Sequence, residues 1–368
     1  MRPKSGLPKR RALRNVPEFA FGFRDNPITA QYRNPALGPS AVVLNEKPTR
    51  VVSLFSGCGG FDLGLLGGFK YLGEIYDALP FRIDGAYDID QRAIETYRLN
   101  IAADARVADL VDLDPAEIAK CDLLLGGFPC QDFSTSGPKV GLEGKRGRLY
   151  RVMASYMKEH QPRVVVAENV IGLARLHEGR ILQTILAEFR DAGYRFKVWD
   201  LVCPDYGLPQ SRRRLFLVGV RDDLDGQPTA PQATHLFSHR SIDDAIEDLK
   251  NITDESITNQ SQYFVATAAT AGGGQGDHIS QRGRLAYTVR ANAKARIHFH
   301  YELERRLTVR ECARLQSFPD EFVFPHSAMN NMSQIGNAVP PIVAHQVGTS
   351  ILKYFSSLRA MRNVKATG

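Results

Sequence analysis

From residue 50 onward, short apolar or β-branched runs alternate with longer stretches whose apolar positions recur at helical spacing. The runs VVSLF (51–55), GAYDID (85–90), CDLLLGG (121–127) and RVVVAENV (163–170) predict strands. Between them, QRAIETYRLN (91–100) and GRILQTILAEFRDAG (179–193) predict helices, the second closing on Gly193, a suitable C-cap. Strands and helices in alternation predict an α/β fold around a mostly parallel sheet. Two more strands are expected in YRFKVWDLV (194–202) and RRRLFLVGV (212–220).

Near residue 221 the pattern changes. Residues 221–260 hold nine acidic and three basic residues, and 280–314 hold nine basic and three acidic. The glycine cluster AGGGQGDH (271–278) lies between them. This stretch, 229–325, predicts a smaller second domain.

The net charge of +7 changes the picture less than its size suggests. Residues 1–50 carry ten Lys/Arg against three Asp/Glu, so the remainder of the chain sums to zero. A basic, proline-containing arm (1–49) is expected to be solvated or to touch phosphates. Any nucleic-acid binding by the rest must come from local clusters. No apolar run approaches the roughly 18 residues needed to cross a bilayer, and the N-terminus lacks a secretory apolar stretch. A soluble, cytoplasmic protein is expected. The five cysteines, Cys58, Cys121, Cys130, Cys203 and Cys312, are scattered without a CxxC pair, which argues against disulfides and structural zinc. His298 and His300 alternate on a possible strand, but no third ligand has suitable spacing, so no metal is expected.

Several residues fall where an α/β sheet performs chemistry. The first strand runs into the glycine-rich turn SGCGG (56–60), which lets backbone approach a nucleotide-like ligand. About 30 residues on, Asp88 ends the second strand, where a carboxylate can accept from both hydroxyls of a ribose. Asp109 is a candidate for an adenine amine, with an ordinary capping aspartate as the alternative. Cys130 follows Pro129 at the end of the run LLLGGF, at the strand edge where open α/β sheets place chemistry; an inert buried thiol is the other reading. Glu168 and Asn169 follow RVVVA and should emerge at the same edge. In QSRRR (210–214), an extended backbone puts Gln210, Arg212 and Arg214 on one face and Ser211 and Arg213 on the other.

The motifs FSGCGGFDLG, AYDID, GGFPCQDFSTSG, ENVIGL, DYGLPQSRRRLFLVGV, RLTVRECARLQSFPDEF and QIGNAVPP, in this order, resemble those of the bacterial DNA cytosine-C5 methyltransferases over residues 50–360. The resemblance implies a Rossmann-like methyltransferase sheet in a large domain (50–228 plus 326–360) and a target-recognition domain at 229–325. It implies that Cys130 adds to cytosine C6, Glu168 protonates or hydrogen-bonds N3, Arg214 contacts the cytosine carbonyl, Arg212 supports the covalent step and Asn169 orients the adjoining loop. S-adenosylmethionine would lie among Phe55, Gly57, Gly59, Asp88, Ile89, Asp109, Pro129 and Asn337. Double-stranded DNA, with its target base flipped out, would meet Gln131, Ser134, Arg146, Gln210, Arg282, Arg284 and Arg290, with Lys294 and Arg296 as further candidates. The loop 136–148 would serve as a clamp. A monomer without membrane contact, nucleoid-associated when bound to DNA, is expected, either in a restriction-modification system with a cognate restriction endonuclease acting separately or in an orphan modification system. An RNA-directed member of the family, a non-catalytic DNA-binding regulator and an unusual sulfonium donor remain open at this point.

Overall fold

A computed structural model describes residues 47–129, 149–252, 278–291 and 298–367, with side chains to residue 361. Most of the expected arm, the loop 136–148, Cys130, Gln131, Ser134, Arg146, Lys294 and Arg296 lie outside the described residues.

In chain order, β1 (Thr49–Leu54) leads through a glycine turn into α1 (Gly60–Leu66), followed by the hairpin β2 (Phe69–Tyr71) and β3 (Glu74–Tyr76). Next come β4 (Phe81–Asp88), α2 (Gln91–Asn100), β5 (Arg106–Val107) and β6 (Leu123–Gly126). They are followed by α3 (Leu149–His160), β7 (Val164–Val170), α4 (Arg180–Asp191), β8 (Tyr194–Val202) and β9 (Arg213–Arg221). The later elements are α5 (Ile242–Ile246), the short strands β10 (His278–Ile279) and β11 (His298–Phe299), α6 (Val309–Leu315), α7 (Ala328–Asn337) and α8 (Pro341–Thr367).

The seven-stranded sheet has the order β5-β4-β1-β6-β7-β9-β8, and only β9 runs against the other strands. The predicted α/β class and its strands are present. β4 begins earlier than the sequence pattern suggested, because Arg82 and Asp84 break the apolar run; they face outward and pair at 2.6 Å.

The central strands are apolar throughout because both faces of the sheet are covered. Val51, Leu123, Leu125, Val164 and Val166 enter one core with α1 and α8, whereas Val52, Leu54, Leu124, Val165 and Ala167 enter the other with α3 and α4. On α4, Ile181, Leu182, Ile185, Leu186 and Phe189 repeat at helical spacing and are buried. Each such side chain contributes about 1.5–3 kcal/mol on burial. The last helix packs on the first with backbone in close approach: a Cβ on Gly64 would lie 2.2 Å from the Pro341 carbonyl oxygen.

The first core runs on without a break into Ile242, Ala245, Leu307, Phe318, Phe322 and Phe324. The stretch 307–324, expected to belong to a separate domain, therefore packs with the sheet. Its basic residues concealed this, since Arg310 is wholly buried and donates to the carbonyls of Pro319 and Phe322.

Asp62 on α1 is fully buried, with Oδ2 accepting from Ser53 Oγ at 2.9 Å. Burial pushes its carboxyl up to about 7, against the Ser53 hydrogen bond. A carboxyl raised in the folded state adds stability below its unfolded value of about 3.9, and this is lost as pH rises through about 7. Asp62→Asn keeps the acceptor for Ser53 without the charge. Relative to the wild type, the variant should gain roughly 2–4 kcal/mol between pH 5 and pH 8.5 in denaturant titrations. An equal difference at both pH values would refute the assignment.

Candidate active site

β1 lies between β4 and β6, and the chain leaves it first toward β4 and β5, then toward β6 and β7. Loops diverging from neighbouring strand ends open a crevice there. A cavity of about 1020 Å³ occupies it, walled by the strand ends and by α7.

One end is built by β1, β4 and β5. After β1 the backbone turns through Phe55 and Gly57 at φ +57° and +55°. Ser56 N–H donates to the Tyr87 carbonyl, and Gly57 N–H donates to Asp88 Oδ2 at 2.8 Å. A Cβ on Gly57 would meet nothing within 4 Å, so this residue opens on the cavity. Gly59 differs. A Cβ there would lie 2.1 Å from Ile101 Cδ1 and 2.8 Å from the Tyr97 ring, and Gly59 does not line the cavity. Here the glycine lets the turn pack against α2 and the residues just beyond.

Asp88 accepts from Gly57 N–H and Asp90 N–H, one on each oxygen, leaving lone pairs for further donors. Burial raises its pKa, with the backbone N–H groups pulling the other way. Ile89, 67% exposed, continues the wall. Asp109 makes a local turn with Val111 N–H at 3.0 Å while lining the cavity, so the capping and ligand readings coexist. Asn337, the last residue of α7, closes the wall opposite.

At the other end, Pro129, Glu168, Asn169 and Arg214 line the same cavity. Glu168 and Asn169 end β7, and the antiparallel register places Arg214 of β9 opposite Val170. Arg214 Nε meets Glu168 Oε1 at 2.9 Å, with the two side chains 13% and 11% exposed. Burial raises the Glu168 pKa; the charges of Arg214 and then Arg212 oppose this but do not cancel it. Asn169 Nδ2 donates to the Phe128 carbonyl at 3.0 Å and its Oδ1 accepts from Val170 N–H, which fixes the chain two residues before Cys130.

The alternation read in residues 210–214 is present, with Gln210 and Arg212 buried and Ser211 and Arg213 exposed. One expectation built on it, Gln210 as a DNA contact, is corrected. Gln210 is 0% exposed; its Nε2 donates to Leu315 O and Gln316 Oε1, and its Oε1 accepts from Val289 N–H, so it presents no surface to DNA. Arg212 does not line the cavity. It lies behind the wall and donates to the carbonyls of Val289, Gly336 and Ala338 at 3.1, 3.1 and 2.9 Å. Burial, aided by the charge of Arg214, pulls its pKa down to about 9, so it stays charged at neutral pH.

Arg284 and Arg290 are exposed. Arg282 lies among Glu247, Glu302 and Asp243 at 3.2, 3.5 and 3.7 Å, neutralised by the acidic stretch. His298 is buried, and burial lowers its pKa to about 4. Sequence reasoning missed Ser56, Gly127, Leu149 and Gln334, which also line the cavity; Gln334, nearly one helical turn before Asn337, had a readable signal.

A cavity that joins strand-end carboxylates to a buried Glu–Arg pair suits transfer between two bound molecules. The family model for C-5 cytosine-specific DNA methylases matches residues 49–273 and 259–353. The chain belongs to this family. This methyltransferase is 32% identical over 342 residues to Type II methyltransferase M.NgoFVII of Neisseria gonorrhoeae, covering 85% of this chain and 88% of that one. It is also 32% identical over 344 residues to M.BbvI of Brevibacillus brevis, with 83% and 91% covered. Its fold is similar to a prophage-encoded putative DNA modification methyltransferase of E. coli (TM-score 0.62, 23% identity, 84% and 99% covered) and to S. pombe Dnmt2 (0.58, 19%, 83% and 98%). Among the described residues, no helix is long and apolar enough to cross a membrane.

Proposed function

We propose that this DNA cytosine-C5 methyltransferase takes S-adenosylmethionine as donor, uses Cys130 as nucleophile, and acts on a cytosine flipped out of duplex DNA. The observation that carries the reading is the buried Glu168–Arg214 pair in one cavity with Asp88 and the open face of Gly57. The volume suits a nucleoside-sized donor beside a flipped base. Asp88 offers acceptors to ribose hydroxyls, while Asp109, Ile89, Phe55, Pro129 and Asn337 complete the donor walls.

Cytosine C5 is a weak nucleophile, and covalent catalysis enriches it. The Cys130 thiolate adds to C6 as Glu168, whose pKa burial raises, gives its proton to N3. Arg214 holds the base carbonyl, and Asn169 fixes the backbone leading to the thiol. When bound, the donor supplies an electrophilic sulfonium methyl group. Once C5 has taken the methyl group, loss of the C5 proton to solvent expels the thiolate, and return of the N3 proton to Glu168 restores the ring.

Target reading is assigned to the stretch from 229 to about 306, with Arg284 and Arg290 as its exposed cations. The names of the Type II relatives favour a modification role beside a separate restriction endonuclease.

Duplex DNA containing 5-fluorocytosine should trap a covalent complex with the wild type, and Cys130→Ala should give none. Transfer to tRNA but not to duplex DNA, in parallel methylation assays, would overturn the substrate assignment. Absence of an adduct with the wild type would favour a non-catalytic DNA binder.

A further inference from the structure

The cavity does not explain a cluster of buried and half-buried groups behind it. Tyr150, in the first turn of α3, is 1% exposed. Its hydroxyl donates to Glu188 Oε1 on α4 at 2.6 Å. Arg151 closes on the same carboxylate, with Nη2 at 2.9 Å from Oε1 and Nε at 3.0 Å from Oε2. The Tyr150 ring lies between two others, its centroid 6.3 Å from Phe128 and 6.2 Å from Phe189. Phe128 precedes Cys130 by two residues, and Leu149 lines the cavity. Phe128, which also lines the cavity, and Tyr150 therefore share one aromatic contact.

We propose that Tyr150, Arg151 and Glu188 form a clasp that positions Phe128, two residues before Cys130, with Glu188 acting from outside the cavity through the Tyr150 ring. Phe128 is held twice, since Asn169 donates to its carbonyl and the Tyr150 ring packs on its side chain. A tyrosine needed only as core would require no carboxylate for its hydroxyl; phenylalanine would fill the same space. Here the hydroxyl is fixed on an anion that a bidentate arginine also holds, so the ring cannot swing away from Phe128 without breaking charge-assisted bonds. Arg151 also lies 5.7 Å from the Tyr150 ring centroid. The contact chain from Glu188 to Phe128 is short and rigid, and a displacement of about 1 Å at reacting atoms costs up to about a hundredfold in rate.

These are positioning residues, and the inference rests on Cys130 being the nucleophile. The test compares wild type, Tyr150→Phe, Glu188→Ala and Glu188→Gln by the rate of covalent trapping on 5-fluorocytosine duplex and by S-adenosylhomocysteine affinity. Tyr150→Phe and Glu188→Ala should trap about tenfold more slowly, with S-adenosylhomocysteine affinity unchanged. Glu188→Gln, whose amide oxygen still accepts from the phenol, should recover most of the rate. Trapping at the wild-type rate in Tyr150→Phe and Glu188→Ala would overturn the clasp, as would a parallel loss of S-adenosylhomocysteine affinity. A wild type that gives no adduct would instead refute the nucleophile.

Discussion

Glu168→Gln should lower kcat roughly 10²–10⁴-fold, the range typical of a lost general acid, while leaving S-adenosylhomocysteine affinity within about twofold. Glutamine keeps the volume and an acceptor for Arg214 Nε, which now sits 2.9 Å from Oε1, but it has no acidic proton to give N3. The pH profile provides the sharper check. Burial raises the Glu168 pKa more than Arg214 and Arg212 lower it, so the carboxyl keeps its proton further toward neutrality than an exposed glutamate. The useful form is the protonated one, and activity should fall as pH rises through this elevated value. The Cys130 thiol has the opposite need, since a free cysteine titrates near about 8.5 and reacts as thiolate. A bell-shaped profile results in the wild type. In Glu168→Gln the alkaline limb should vanish and the acid limb remain. An alkaline limb that survives the substitution would remove Glu168 from the proton transfer.

The parts of this site that were legible in the sequence share one property: they end apolar strands. Runs such as VVSLF and RVVVA announce buried parallel strands, and residues after such strands emerge at the sheet edge. That logic located Asp88, Glu168 and Asn169 without knowledge of any contact. Arg214 was found another way, from the period of an extended chain.

What the sequence could not reveal depends on what stands opposite each residue. Gly57 and Gly59 read alike in SGCGG, yet one faces open space and the other faces Ile101 and Tyr97, from elements encoded about 40 residues later. Gln210 has the type and neighbours of a DNA contact, but the inward phase of its alternation meets Leu315, Gln316 and Val289. Charge misled in the same manner. The basic stretch 280–314 suggested a separate binding domain, whereas Arg310 is buried and Arg314 is paired with Asp320 and Asp248. Glu188 belongs to no motif, and only the helix packing brings it to Tyr150.

Arg212→Leu should produce the largest stability change among the site variants. The Arg212 guanidinium donates to three carbonyls from two distant segments: Val289, beside Arg290 in the proposed reading stretch, and Gly336 and Ala338, which flank Asn337. Leucine fills part of the volume and leaves the Val289 and Gly336 carbonyls without this donor, whereas Ala338 O keeps the Gln316 amide at 2.6 Å. Each orphaned buried acceptor costs about 1–3 kcal/mol, and removal of a desolvated cation offsets part of the total. A net loss of about 3 kcal/mol is expected, which corresponds to a fall of roughly 6–10 °C in Tm. Arg212→Lys should fall between, because an ammonium is a point donor and cannot span three carbonyls in the fixed geometry of a guanidinium. Since two of the three carbonyls bracket Asn337, S-adenosylhomocysteine affinity should weaken together with stability. Thermal melting and ligand titration on the same preparations test both halves. If Arg212→Leu melts like the wild type, the clamp does not hold these segments together. If the variant instead loses kcat with donor affinity intact, the guanidinium acts on the reacting base after all, and its placement behind the wall is not the one used in turnover.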